Sequence, residues 1–304
     1  MDLTWSQLAE WAARPTVAVT AVAFLAFALV LSPLERLWPA RPQPVRRRGF
    51  GTDLVFWMFN PLVGKAITFV AVTALAAGLF ALAGREFSLV STEGWGPVGR
   101  QPLWLQAVEV LLLADLIFYW AHRGFHTSRL WPFHAVHHSA TEMDWLTSMR
   151  FHPVNDVLSR VCQAIPLVLF GFAPAAVVCM IPVVVVFIVV THANLPWTWG
   201  PLKYVFVSPV YHHWHHSTDR AAVDTNFAGV LVLWDWLFGT MYLPADRRPH
   251  GYGVAGGGLP SGPAGLLAYP FAELARGLVP EKAAEPLGFD PARIPVYGSA
   301  PPSP

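Results

Sequence analysis

One six-residue pattern, H-x-x-H-H-S, is written twice in this chain, at His134–Ser139 and again at His212–Ser217. Upstream of the first copy, His122 and His126 are spaced i, i+4, so that five of the 12 histidines fall within the stretch HRGFHTSRLWPFHAVHH. On a helix, spacings of three and four place imidazoles on one face. If the two triplets build one site, the chain between them must begin and end on the same side of whatever it crosses. Residues 161–191 form a 31-residue run without a charged side chain. One straight helix of that length would measure about 46 Å, longer than a hydrocarbon core of ~30 Å. GFAP at 171–174 offers a turn in the middle. The expectation is a hairpin, 156–172 and 174–192, which crosses twice and brings His192 back to the boxes.

The composition agrees with a membrane protein. Hydrophobic residues make up 54% and charged residues 13% of the 304, and the mean hydropathy is +0.43; soluble domains carry about 25% charged residues. The class expected is all-α, an integral membrane helical bundle with a cytoplasmic helical cap carrying the histidines. A net charge of +1 gives no electrostatic footprint for nucleic acid. Cys162 and Cys179 both lie in apolar runs, so they read as small buried hydrophobes and not as a disulfide or cluster framework. MDLTWSQLAEW has Asp2 and Glu10 and no basic leader, which argues against a signal peptide.

A first span runs from Pro15 to Leu34, with Pro33 marking its exit. Arg36, Arg41, Arg46, Arg47 and Arg48 follow, which by the positive-inside rule puts this loop in the cytoplasm and the N-terminus outside. A second span covers 66–84, and a third, about 102–121, runs directly into the first histidine pair. On this topology a cysteine at Ser91 is reachable from outside and one at Ser217 is not. Residues 1–100 are N-terminal spans and loops, 101–244 the catalytic segment, and 245–304 a Gly/Pro-rich tail ending in a loosely ordered stretch.

Glu109 and Asp115 lie inside the third span, where carboxylates are costly. Asp115, Tyr119, His122 and His126 share one helical face, so Asp115 reads as a group supporting the histidines or as an interhelical hydrogen bond. FAGVLVLWDWLFGTMYL, broken by Asp235, reads as an amphipathic interfacial helix covering the site. Asp219, Asp224, Asn226 and Asp235 could orient imidazole N–H groups, or could be caps and turn residues. Gly251, Gly253 and Gly256 satisfy G-x-G-x-x-G, but Pro249 precedes them and Gly257, Gly258 and Pro260 follow, which leaves no strand–turn–helix for a dinucleotide.

Eight imidazoles in three boxes, four or so per ion, make a two-metal site the natural reading. His192 is a candidate ninth; His152, His213 and His250 have no ligand-like spacing. A zinc hydrolase lacks its H-E-x-x-H, since HRGFH puts Arg123 where the general base belongs. A histidine-rich transport or metal-storage protein would set its ligands near the bilayer midplane, whereas these boxes lie at span ends beside Arg123 and Arg129.

In order, HRGFH, HAVHH and HHWHH resemble the three histidine boxes of the membrane fatty acid hydroxylase / sterol desaturase superfamily. The likeness runs from about Asp115 to Pro244 and includes HAN at 192–194 and DTNFAGVLVLWDWLFGT at 224–240, most like the bacterial sterol-desaturase-like and alkylglycerol monooxygenase branches. The resemblance implies a non-haem di-iron centre that uses O2 to attack an unactivated C–H bond of a lipid or sterol-like substrate. His122, His126, His134, His137, His138, His212, His215 and His216 would be both catalytic and metal-binding, with His192 as a further ligand and Asp115, Asn226 and Asp235 supporting the cofactor. Hydroxylation, desaturation and carotenoid hydroxylation all stay open. Without a cluster, flavin or haem motif of its own, the chain would need an external electron donor of ferredoxin or cytochrome type.

Overall fold

The computed structural model describes residues 17–82, 84, 93–127, 129–254 and 256–276. Its helices are α1 (Val17–Leu37), α2 (Phe50–Leu82), α3 (Leu103–Thr127), α4 (Trp131–His138), α5 (Pro153–Phe170), α6 (Pro174–His192), α7 (Pro209–His215), α8 (Leu233–Leu237) and α9 (Pro263–Ala275). Among the described residues the only β structure is two isolated bridges, Phe206 with Leu231 and Ser217 with Tyr252. The chain is an all-α membrane protein: α1, α2, α3 and α6 are each long and apolar enough to cross a bilayer. Their outward faces carry Val22, Leu25, Leu29, Phe69, Val70, Leu112, Ile181 and Val186, all exposed, as lipid-facing positions should be.

Proline does much of the punctuation. Helices α4, α5, α6, α7 and α9 each have proline at their first or second position, where its missing N–H costs nothing and its fixed φ suits the helix. Pro33 does not end α1, which continues to Leu37. The second span likewise begins earlier than its apolar run suggests. Helix α2 starts at Phe50 and passes through a π turn at Asn60–Gly64. Pro61 in that turn has no N–H to donate, so the bonding pattern slips and the helix carries on. The Asn60 amide reaches across to the carbonyls of Met149 (2.6 Å) and Phe151 (3.0 Å).

The expected hairpin is present, with Gly171 in the left-handed conformation at φ 80° closing α5. Trp95 N donates to Gly171 O at 2.8 Å, and a Cβ on Gly171 would come within 2.2 Å of Trp95 O. Helix α5 thus reaches the loop before α3, at the end opposite the histidines. It has span length, 18 residues, but Asn155, Asp156, Ser159, Arg160 and Gln163 leave it outside the four most apolar helices.

At the histidine end the core is dense. Trp57 of α2 packs edge-on against Trp145, ring centroids 5.1 Å apart, with Phe24 and Phe27 of α1 beside it. Glu35, at the end of α1, accepts from Trp145 N (2.9 Å) and Asn194 N (2.8 Å). Arg47 lies between Asp144 and Asp53, and Arg150 donates to Asp53 at 2.5 Å. All four charges are buried, the paired arrangement that buried charges require.

Three further expectations are corrected. Cys162 is exposed and Cys179 only partly buried, because both sit on helices whose apolar faces point outward, so neither is a buried core residue. The stretch 227–243 is not an interfacial helix: only Leu233–Leu237 of it is helical, and Asp235 is fully buried. The Gly/Pro-rich tail contains α9, whose Leu266 packs with Val136 and Phe56. The N-terminal stretch MDLTWSQLAEW, Pro15, Ser91 and the final stretch from 277 lie outside the described residues.

Candidate metal centre

Nine buried imidazoles converge where the ends of α3 and α6 meet α4 and α7. They sort into two groups, and within each the ligand-capable nitrogens all lie within 4.8 Å of one another. One group is His122, His126, His134, His138 and His215; the other is His137, His192, His212 and His216. Each H-x-x-H-H box is shared between them. In α4 the i, i+4 pair His134 and His138 enters the five-membered group and His137 the four-membered one. In α7 and its C-cap the pair His212 and His216 enters the four-membered group and His215 the five-membered one. Adjacent histidines point about 100° apart on a helix, so one box can serve two neighbouring centres. His138 and His216 stack across the junction at 4.4 Å.

The ring protons can be assigned from their partners. His137 Nδ1 donates to Arg150 O (3.3 Å) and His192 Nδ1 to Ile188 O (2.7 Å). A carbonyl only accepts, so in each neutral ring the proton is on Nδ1 and Nε2 carries a lone pair. Those two Nε2 atoms face each other at 3.2 Å. His122 and His134 repeat the arrangement: their Nδ1 atoms donate to Phe227 O (2.7 Å) and Asn155 Oδ1 (2.8 Å), and their Nε2 atoms are 3.0 Å apart. His215 Nδ1 donates to Thr225 O (2.8 Å), and its buried Nε2 has no hydrogen-bond partner among the described residues. Lone pairs held this close repel unless positive charge is shared between them. Protonation is a poor source of that charge, because burial first, and neighbouring imidazoles second, hold His137, His138, His212 and His216 well below the usual 6.5; burial does the same for His215. An all-imidazole donor set with its lone pairs converging fits metal ions.

The remaining sequence candidates are placed as follows. Asp115, Asn226 and Asp235 do not hydrogen-bond to an imidazole; they hold the 225–231 loop. Asp115 accepts from Val230 N, Leu231 N and Trp234 Nε1 at 3.0, 2.8 and 3.1 Å. Asp235 accepts from Phe227 N, Ala228 N, Thr240 Oγ1 and Tyr211 Oη, all at 2.7–2.9 Å. Asn226, at φ 59°, bridges Tyr211 O and Tyr242. Their effect on the centre passes through the Phe227 and Thr225 carbonyls. Asp224 does reach a ring, His126 Nδ1 at 3.2 Å. Asp219 instead bonds His250 and Ser217.

His152 caps α5 and bonds Leu267 O, while His213 bonds Ala193 O (3.0 Å) and Tyr252 Oη (3.3 Å); neither joins a group. Sequence reasoning passed over Asn155 and Arg150. Nothing in local spacing marks them, because their partners lie on α4.

Residues 107–240 match the model of the fatty acid hydroxylase family. The match covers the segment that carries all nine imidazoles. Among its relatives is the ornithine lipid hydroxylase OlsE of Rhizobium tropici, 37% identical over 177 residues, which are 58% of this chain and 53% of that protein. The alkylglycerol monooxygenase of Caenorhabditis elegans is 28% identical over 145 residues, 47% of this chain and 28% of that one. The very-long-chain aldehyde decarbonylase GL1-11 of Oryza sativa subsp. japonica is 30% identical over 138 residues, 44% and 52%. The chain therefore spans about half the length, or less, of these curated relatives. No solved structure matches it.

Proposed function

We propose that this protein is an O2-dependent di-iron hydroxylase of membrane lipids, with its histidines on the cytoplasmic side. The observation that carries the reading is the pair of facing Nε2 lone pairs in each imidazole group, which lie at the end of apolar helices in a family of lipid-oxidising enzymes. His122, His126, His134, His138 and His215 would hold one ion and His137, His192, His212 and His216 the other. Bound there, iron would supply the one-electron redox chemistry by which O2 is activated. In hydroxylation one oxygen atom enters the C–H bond and the other leaves as water, which consumes two electrons and two protons from an external ferredoxin- or cytochrome-type donor. The chain's own part is positional. The Phe227, Thr225, Arg150 and Ile188 carbonyls and Asn155 fix the tautomer and aim of five of the nine rings, His122, His215, His137, His192 and His134, and the apolar helix faces would receive the lipid tails. The relatives named for hydroxylation and monooxygenation, with that for ornithine lipid the most similar of the three, favour hydroxylation over desaturation.

Lipid mass spectrometry of cells with the wild-type protein, without it, and with His137→Ala tests this directly. A lipid that gains one oxygen only with the wild type is expected. Loss of two hydrogens instead would make the protein a desaturase, and an unchanged lipid profile despite a supplied donor would sink the reading. For sidedness, Ser217 is a poor labelling position because it is buried, whereas Arg247 is exposed. A cysteine at Arg247 should resist an impermeant external reagent; labelling from outside would invert the topology.

A further inference from the structure

The contact between α2 and α5 carries charges that the metal centre does not use. Lys65 and Thr68 lie one turn apart on α2. Thr68 Oγ1 donates to Asp156 Oδ2 at 2.9 Å, and Arg160, one turn further along α5, pairs with Asp156 at 3.4 Å. Arg160 also donates to Gln163 (3.2 Å), whose amide donates to Ala114 O of α3 (2.9 Å). Asp156 is thereby satisfied by Arg160 and Thr68. The Lys65 ammonium, exposed, makes no hydrogen bond or ion pair among the described residues; the charges of Arg160 and Asp156 act on it across the helix contact that Thr68 makes with Asp156. Two cations share one carboxylate, so the patch has one positive charge in excess.

Depth identifies what the patch faces. From Lys65 to Leu82 is 18 residues, about 27 Å of helix, which matches a hydrocarbon core of ~30 Å. Lys65 therefore sits at headgroup level on the histidine side, and its neighbours Ile67, Phe69 and Val70 are exposed apolar side chains. Five residues before Arg160 on α5, about 7.5 Å of rise, is Asn155, which bonds the His134 ring. The patch is thus on the bilayer side of the imidazoles and close to them. A lipid whose anionic group rests there has its tails running away from the histidines and its headgroup toward them.

We propose that Lys65 and Arg160 bind the anionic group, phosphate or carboxylate, of the lipid substrate, so that the C–H bond attacked lies at the headgroup end and not in the distal tail. This rests on the lipid hydroxylase reading and adds to it a substrate class and a site of attack.

The test uses the full-length protein in nanodiscs of phosphatidylcholine doped with phosphatidylglycerol. Retained lipid is read by native mass spectrometry, and iron content is measured alongside. The wild type is expected to retain phosphatidylglycerol at least tenfold over its share of the disc. Lys65→Gln with Arg160→Gln should abolish that preference with iron unchanged, and Lys65→Arg should keep it. An equal preference in the double variant would mean an ordinary annular lipid and overturn the proposal. Should the double variant not be extracted folded, Lys65→Gln alone is read the same way. A second arm needs no variant: fragmentation of the oxygenated lipid from wild-type cells. Oxygen in the headgroup-containing fragment supports the proposal. Oxygen in a distal acyl carbon overturns it and leaves the hydroxylase intact, whereas no oxygenated lipid at all breaks the hydroxylase reading itself.

Discussion

The five-membered and four-membered imidazole groups are built from the same two boxes but are held by different parts of the molecule. In the five-membered group, His122, His126 and His215 are all aimed by the loop that follows the last box, through Phe227 O, Asp224 and Thr225 O. That loop has non-glycine residues at φ 58° and 59°, Asp224 and Asn226, a conformation that costs about 1 kcal/mol or more per residue. Asp235 and Asp115 hold it there. In the four-membered group, His192 bonds a carbonyl of its own helix, and His137 bonds Arg150 O, next to the buried Arg47–Asp53–Asp144–Arg150 cluster. One group therefore depends on a strained C-terminal loop, the other on ion pairs that tie the start of α2 to the 144–150 segment after α4. The same ligand chemistry does not imply the same supports, and the two centres should fail separately.

The largest expected effect is His137→Ala. It removes one of the four imidazoles proposed to hold the second ion, and activity should fall more than 100-fold, beyond the 10–100-fold typical of losing a supporting group. Iron should drop from two per chain to one or fewer while the protein stays in the membrane. Iron analysis and the lipid assay check it; full activity would end the ligand assignment.

Asp53→Ala comes next. It leaves the Arg47 and Arg150 guanidiniums buried beside one carboxylate, Asp144, and breaking a buried pair from one side costs about 3–5 kcal/mol. Thermal unfolding in detergent should show the loss, and at permissive temperature the iron deficit should fall on the four-membered group. Asp235→Ala should cost on the order of 3 kcal/mol, because four buried donors lose one acceptor, and its deficit should fall on the five-membered group. If both variants deplete the two ions equally, the supports are not separate.

Much of this was legible in the sequence, for a definite reason. Helical period and uncharged run length are local properties, so the i, i+4 spacing of the boxes, the break at Gly171 and the return of His192 could all be read from the chain. The partition of each box between two groups was not, since it needs the relative placement of α4 and α7. Asn155, Arg150 and Asp53 gave no signal, because each acts on a partner far away in sequence. Asp235 and Asp115 were found, but as neighbours of the histidines; in the fold they act one step back, on backbone N–H groups of a loop that reads as helix because it belongs to a long apolar run.

The smallest effect is expected at His213, where the two boxes differ most plainly: HAVHH has Ala135 at the position that HHWHH fills with histidine. His213 joins Ala193, the residue after His192, to Tyr252, and so ties the end of α6 to α7 and to the C-terminal segment. Arg41, over the Tyr252 ring at 5.1 Å, closes that corner. Its ring belongs to neither imidazole group. His213→Ala should therefore lower stability by about 1–2 kcal/mol, the cost of buried partners left unpaired, with two irons retained and activity within a few-fold of wild type. The informative control is His212→Ala one residue away, expected to lose iron as His137→Ala does. If His213→Ala depleted iron as deeply as His212→Ala, His213 would have to be counted as a ligand, and the four-membered group would become five.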